Sequence, residues 1–178
     1  MSSSPSSDRS ASSLSDVEIV ISRSAWWLRR IFVMALIAIV IGGLAGAFGV
    51  RTNTTTVTDG GYRLSLEHAS LARAGMDVPW QVTVFHEGGY GKELVLAVTG
   101  DYFDIYETQG FSPEPSAATR GAGTLYLTFD PPRGEVFTLA YDAYIQPSSQ
   151  RGKDGSISVI GSTGQPVATL DFETRLWP

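Results

Sequence analysis

The sequence predicts an all-β domain, an antiparallel β-sandwich of eight or nine strands, preceded by one transmembrane helix and a disordered N-terminal tail. Three observations carry this. Beyond residue 50 the apolar side chains recur at every second position, the period that turns one strand face to a core and the other to water. Turn-forming strings separate these runs: Asp59-Gly60-Gly61, Gly88-Gly89, Asp130-Pro131-Pro132-Arg133-Gly134 and Asp154-Gly155. Ahead of them, residues 31–50 read IFVMALIAIVIGGLAGAFGV, twenty positions without a charge. Composition narrows the function. The chain has 178 residues, a formal net charge of −5 and no cysteine. That excludes a disulfide framework, a thiol nucleophile and a sulfur-ligated zinc site, and the charge lacks the basic footprint of a nucleic-acid binder.

The first 24 residues hold eleven serines and few apolar groups outside Val17, Ile19, Val20 and Ile21. Such a segment cannot bury enough apolar surface to offset its ordering entropy, so a disordered, solvated tail is expected over 1–24. Residues 25–50 are expected to form the membrane helix, with its apolar core over 31–50. Twenty residues at about 1.5 Å each match the roughly 30 Å hydrocarbon layer. Trp26 and Trp27 precede the core, where amphipathic rings favour the headgroup region, and Arg29-Arg30 mark the adjacent boundary. The expected topology is a cytoplasmic N-terminus and an extracytoplasmic C-terminal domain, in a plasma membrane. A second reading makes the stretch a removable export signal, with Ala45-Gly46-Ala47 as a small-x-small cleavage cue and Arg29-Arg30 as part of a twin-arginine pattern. Ala38, Gly42 and Gly46 recur every four residues. On a helix that spacing makes a small-residue stripe through which the span could pack against a second helix or a second copy.

Residues 51–178 carry fifteen acidic and nine basic residues, a net −6, against +1 for the first fifty. An acidic domain is repelled by anionic lipid, which disfavours one lying on the membrane surface. Its expected strands follow in order. Tyr62, Leu64 and Leu66 form one inward set, and Trp80, Val82 and Val84 the next. Leu94, Leu96 and Val98 follow, then Phe103 and Ile105 between outward Tyr102, Asp104 and Tyr106. Leu125, Leu127 and Phe129 come next, then Phe137, Leu139, Tyr141 and Ile145. Ile157 with Val159, and Leu170 with Phe172, complete the set. The stretch 66–75, LEHASLARAG, is expected to be a strand running into a loop, a short helix ending at Gly75 being the alternative. Arg73-Ala74-Gly75 ahead of Trp80-x-Val82-x-Val84 resembles the first inter-strand loop of immunoglobulin-like modules in bacterial envelope proteins. The resemblance covers about a dozen residues and lacks the Cys…Trp…Cys signature, so it implies an immunoglobulin-like architecture and no family.

Little catalytic chemistry is legible. His68 and His86 both have core-face parity near the ends of consecutive strands. If those strands are antiparallel the two lie on the order of 20 Å apart at ~3.3 Å per residue, too far to share a metal. The string Gly161-Ser162-Thr163-Gly164 lacks nucleophile-elbow spacing and reads as a turn. Asp101, Asp104 and Glu107 invite calcium, but strand parity would split them between two faces. The more informative stripe is Tyr102, Asp104 and Tyr106, with Phe111 in the loop beyond. Outward tyrosines on a strand would offer aromatic area to a protein or an envelope polymer. Asn53-Thr54-Thr55 is a glycosylation sequon in a host that glycosylates. The expectation is therefore a membrane-anchored binding module with no cofactor, no metal and no catalysis. The alternative is a secreted or periplasmic ligand-binding domain released from its leader.

Overall fold

A computed structural model describes residues 23–46, 49–107 and 110–177. The tail expected over residues 1–24 thus lies almost wholly outside the described residues. The chain divides into two compact units at residue 48.

The first unit contributes a helix, α1 (Arg23–Leu44). Its segment Ser24–Leu44 is long and apolar enough to cross a membrane, with a mean hydropathy of 2.0 and none of that window buried. Arg29 and Arg30 lie inside the helix ahead of the apolar core, and Arg30 places its guanidinium 4.0 Å from the centroid of the Trp26 ring one turn earlier. One end of the expected 25–50 span changes. The helix stops at Leu44 although the apolar sequence runs on. Gly46 takes a left-handed φ of +71°, the conformation with which glycine ends helices, and its N–H bonds the Gly43 carbonyl. Gly46 therefore lies outside the helix, and the predicted stripe shrinks to Ala38 and Gly42.

The second unit is a mostly β domain. Its strands are β1 (Arg51–Asp59), β2 (Tyr62–Arg73), β3 (Asp77–Val78), β4 (Trp80–His86), β5 (Leu94–Thr99), β6 (Phe111–Ser112), β7 (Ala117–Gly121), β8 (Thr124–Phe129), β9 (Val136–Tyr141), β10 (Ala143–Tyr144), β11 (Lys153–Ile160) and β12 (Pro166–Trp177). Nine form one ladder in the order β6-β9-β4-β2-β12-β11-β5-β8-β7, with β1 added on β2. The small pair β3–β10 stands apart.

The ladder is curled and mixed rather than wholly antiparallel. β12 pairs β11 antiparallel along most of its length, and its last residues, Arg175–Trp177, pair β2 in parallel at Leu71–Arg73. That short parallel contact joins two limbs, β6-β9-β4-β2-β1 and β12-β11-β5-β8-β7, whose inner faces share one core. Leu64, Leu66, Val82, Val84 and Leu139 meet Leu96, Val98, Leu127, Ile157, Val159 and Leu170 there, each 3% exposed or less. These are the inward sets expected from the period of two. Trp80 is 2% exposed, whereas Trp26, Trp27 and Trp177 are 45% or more exposed.

The stretch after Leu66 runs on as strand to Arg73 and into a turn at Ala74-Gly75, as expected, without a helix. Two further expectations change. The loop expected beyond Glu107 contains β6 and β7. Most consequentially, residues 100–105 form a 3₁₀ helix in place of a strand. At three residues per turn, Tyr102, Phe103, Ile105 and Tyr106 fall together against the core while Asp101 and Asp104 stack outward. The alternation expected for 102–106 reads the same in sequence, but it places the tyrosines on the wrong side.

Candidate functional site

The strands give the domain two distinct ends. At one, which we term the entry end, the chain arrives at Arg51, paired with Leu71, and the starts of β4 and β8 meet the 3₁₀ helix. At the other, the β1–β2 hairpin turns at Gly60-Gly61 beside His86, which pairs with Tyr62.

The entry end carries the residues expected to bind partners, and it buries two of them. Tyr102 is 0% and Tyr106 is 3% exposed. Neither presents aromatic area to solvent, so the outward-tyrosine expectation fails, because the local helix rotates both rings inward. Their hydroxyls form a chain: Tyr106 Oη to Tyr102 Oη at 2.7 Å, Tyr102 Oη to Thr174 Oγ1 at 2.8 Å, and Thr174 Oγ1 to the Ala69 carbonyl at 2.6 Å. A carbonyl only accepts, so Thr174 donates to Ala69. Tyr102 must then donate to Thr174, and Tyr106 to Tyr102. Burial raises the pKa of both phenols, so both stay protonated and the chain keeps this polarity.

Asp104 and Tyr106 line a shallow groove of about 380 Å³ together with Phe111. Phe111 is half-buried and turns toward the core, its ring 5.5 Å from Phe103 and 4.8 Å from Tyr141. Three of the four expected partner-binding residues are thereby brought together, with Tyr102 behind them. The Gln146 side chain donates to the Tyr106 carbonyl at 2.6 Å, and Tyr141 donates to the Glu107 carbonyl at 3.2 Å. The arrangement reads as an aromatic plug across the end of the core.

The parity argument against an Asp101–Asp104–Glu107 cluster also changes, since all three are exposed and Asp101 and Asp104 lie one 3₁₀ turn apart, with Glu107 in the extended chain beyond. Lys153 lies 3.9 Å from Asp104. Among the described residues no group of three His, Asp or Glu side chains is placed to hold a metal ion.

The far end is built differently. Four connections converge there: the Gly60-Gly61 turn, residues 87–93, residues 130–135 and residues 161–165. Gly60 (φ +54°) and Gly61 (φ +82°) make the two-residue turn whose positive φ values match strand twist. A Cβ on Gly60 would come within 2.9 Å of Val167 Cβ. The loops are tied together by polar contacts. His86 N–H donates to the Glu135 carbonyl at 2.9 Å, and Gly88 N–H to the Glu135 carboxylate at 3.0 Å. His86 Nδ1 lies 3.0 Å from the Gly61 carbonyl, which can only accept, so Nδ1 carries a proton.

Between these loops opens a groove of about 800 Å³, with His86, Tyr62, Tyr90, Lys92 and Ser162 on its walls. Tyr62 stacks on His86 with centroids 4.2 Å apart, and Tyr90 lies 5.9 Å from His86. Tyr90 donates to the Val84 carbonyl at 2.6 Å, and burial pushes its phenol up to about 12. The groove thus combines a stacked aromatic floor with a cation, a hydroxyl and glycine backbone, features suited to binding. Sequence reasoning did not assemble it. The available signal was the run His86–Glu93, HEGGYGKE, read there only as a turn.

The two histidines are six register steps apart on β2 and β4, because His68 pairs Trp80 while His86 pairs Tyr62. At about 3.3 Å per residue this agrees with the separation expected from sequence. His68 is 2% exposed, with Nε2 3.2 Å from the Glu173 carbonyl. Nε2 is therefore the protonated nitrogen, and burial lowers the pKa of the ring. Its Nδ1 and the Trp80 Nε1 are buried without a hydrogen-bond partner.

No protein-family model and no curated protein matches the chain.

Proposed function

We propose that this chain is a single-pass membrane-anchored binding module. Its β domain stands outside the membrane, its N-terminus is cytoplasmic, and it performs no chemistry of its own. The observation that carries this reading is α1: a helix of spanning length whose apolar side chains are exposed throughout the window and pack against no core. Exposed Ile, Leu, Val and Phe side chains over five turns are tolerated in lipid and not in water. Trp26 and Trp27 at its N-terminal side, with Arg30 over the Trp26 ring, suit the headgroup layer.

The β domain fits the role of the presented part. Its acidity keeps it off anionic lipid, and its curled mixed sheet encloses a core of its own. The far-end groove beside Tyr62 and His86 is the surface we assign to a partner, either a protein loop or an envelope polymer. We place the chain in a bacterial plasma membrane, where both are within reach.

One observation favours the second reading, in which the domain is released. The helix breaks at Gly46, inside the Ala45-Gly46-Ala47 cleavage cue. Cell fractionation with a C-terminal epitope separates the two. A full-length band that stays with membranes through alkaline extraction supports the anchor. A shortened soluble band replaces it with the secreted ligand-binding domain. For the groove, His86→Ala and Tyr62→Ala should abolish crosslinked capture from intact membranes while leaving the circular dichroism unchanged. Undiminished capture would move the binding surface elsewhere.

A further inference from the structure

β1 is an open edge. Among the described residues it pairs only with β2, whose opposite side pairs with β4 over Tyr62–His68, so the outer backbone groups of β1 have no described strand paired with them. Seven of its nine residues are exposed, and Thr55 and Val57 are half-buried. Natural sheets blunt such edges with proline, lysine, short length or bulges. The two ends of the nine-strand ladder follow that rule. β6 has two residues and is followed by Pro113, and β7 has five, ending at Gly121. β1 has nine residues, RTNTTTVTD, with no proline, glycine or lysine. Its charges, Arg51 and Asp59, stand at its two extremes. Neither is in an ion pair among the described residues.

We infer that β1 is a self-pairing edge, completed by β1 of a second copy of this chain running antiparallel about a two-fold axis at Thr55. That operator sets Thr55 opposite itself, Thr54 opposite Thr56, Thr52 opposite Thr58 and Arg51 opposite Asp59. Threonine pairs and opposite charges facing one another both stabilise an antiparallel ladder. The arrangement selects its own register. An axis at Thr54 leaves Asp59 facing Gly49, and one at Thr56 leaves Arg51 facing Gly61. A parallel arrangement sets Arg51 against Arg51 and Asp59 against Asp59. Only the antiparallel pairing centred on Thr55 satisfies both charges twice, as an isologous dimer requires. Nine residues a side make a small interface, of the weak or transient class in free solution. Confinement to one membrane raises the effective concentration and favours it. The inference does not depend on what the far-end groove binds, or on whether the small residues of α1 pack.

The chain has no cysteine, so single cysteines in the full-length protein report the contact. Both kinds of antiparallel pair bring Cα atoms to about 4.5–5.5 Å, inside the roughly 4.4–6.8 Å range of a disulfide. Oxidation of the Thr55→Cys protein in membranes or detergent should give a dimer of the chain, and Thr119→Cys on the β7 edge should not. Adding Arg51→Glu to Thr55→Cys sets like charges opposite at both ends and should cut the dimer yield about fivefold or more. The further change Asp59→Arg should restore it, with circular dichroism confirming the fold, because Asp59 also accepts the Gly60 N–H at 2.8 Å. Equal crosslinking at positions 55 and 119, insensitivity to Arg51→Glu, or a failure of the folded double charge variant to recover would each overturn the pairing. So would an adduct of Thr55→Cys with a different protein in place of the dimer, since it assigns the edge to a foreign strand.

Discussion

The polarity of the buried hydroxyl chain makes a graded stability prediction. Thr174→Val keeps the volume of the side chain but removes its hydroxyl. The Ala69 carbonyl loses a donor held at 2.6 Å, and the Tyr102 hydroxyl loses the acceptor it holds at 2.8 Å. Thr174 and Tyr102 are 0% exposed, so water does not replace what is lost. A buried polar group without its partner costs about 1–3 kcal/mol, and two of them put the variant at about 2–6 kcal/mol. Tyr102→Phe strands one donor, the Tyr106 hydroxyl, while Thr174 still bonds Ala69, for about 1–3 kcal/mol. Tyr106→Phe removes only the donor at the head of the chain, and Tyr102 keeps its own acceptor. Its cost is that of an ordinary hydrogen bond, about 0.5–1.5 kcal/mol. The double variant Thr174→Val with Tyr102→Phe should cost less than the sum, because both partners of one bond leave together. Urea unfolding of residues 49–178 followed by Trp80 fluorescence measures the series, with the midpoint moving and the slope constant. Residues 49–178 suffice because the core cluster lies wholly within them. If Tyr106→Phe is as damaging as Thr174→Val, the protons do not run in the direction derived from the Ala69 carbonyl.

Other outcomes follow from burial and backbone geometry. Trp80→Ala, at a side chain 2% exposed and edged by the Phe103, Phe111 and Tyr141 rings, should cost roughly 3–5 kcal/mol. Thr83→Ala on the opposite face of the same strand should stay within about 0.5 kcal/mol in the same urea assay. Gly152→Ala drives a Cβ into the Thr174 carbonyl and to 2.8 Å from Arg175 Cα, so it should cost about 3 kcal/mol or abolish expression of folded protein. Gly88→Ala meets open space and pays only for its φ of +81°, roughly 1–2 kcal/mol, and thermal melts rank the two. His68 has a folded pKa below its unfolded value of about 6.5 because burial disfavours the charged ring. The unfolded chain therefore binds the extra proton first, and stability falls as pH drops below about 6.5, down to the folded pKa. A His68→Gln variant should show a flatter midpoint-versus-pH profile over that window, and an unchanged slope would sink the assignment.

Where one face of a strand is buried, the sequence carries the structure openly. Leu64 with Leu66, Val82 with Val84, Leu96 with Val98, and Ile157 with Val159 alternate in the chain and line the core in fact. The signal disappears where neither face is buried. β1 is threonine-rich and largely exposed, and β7 is exposed at all five positions, so no apolar period marks either. Ambiguity of period misleads at residues 102–106. A polar residue between two apolar pairs satisfies both a strand of period two and a 3₁₀ turn of period three, and tertiary packing decides between them. The end of α1 was hidden for a related reason. Apolar residues continue past Leu44, whereas the stop lies in the backbone conformation of Gly46.

The two ends of the β domain divide the work that the sequence analysis assigned to one stripe. Aromatic residues are used at the entry end to close the core: Trp80, Phe103, Phe111 and Tyr141 meet edge to face, and the hydroxyl chain ties the 3₁₀ helix to β12 and β2. Every polar atom of that chain is spoken for, so displacing Tyr102 or Tyr106 toward a partner would expose apolar rings and strand buried donors. The far end holds its aromatic residues differently. Tyr62 and His86 stack at the groove wall, half-exposed, and the loops around them are joined by backbone and glycine contacts that give way with little loss of buried apolar area. A surface that must accommodate a partner is built from such segments. The cost of adjustment therefore supports the binding surface proposed at Tyr62, His86 and Lys92, and leaves Tyr102 and Tyr106 to hold the fold.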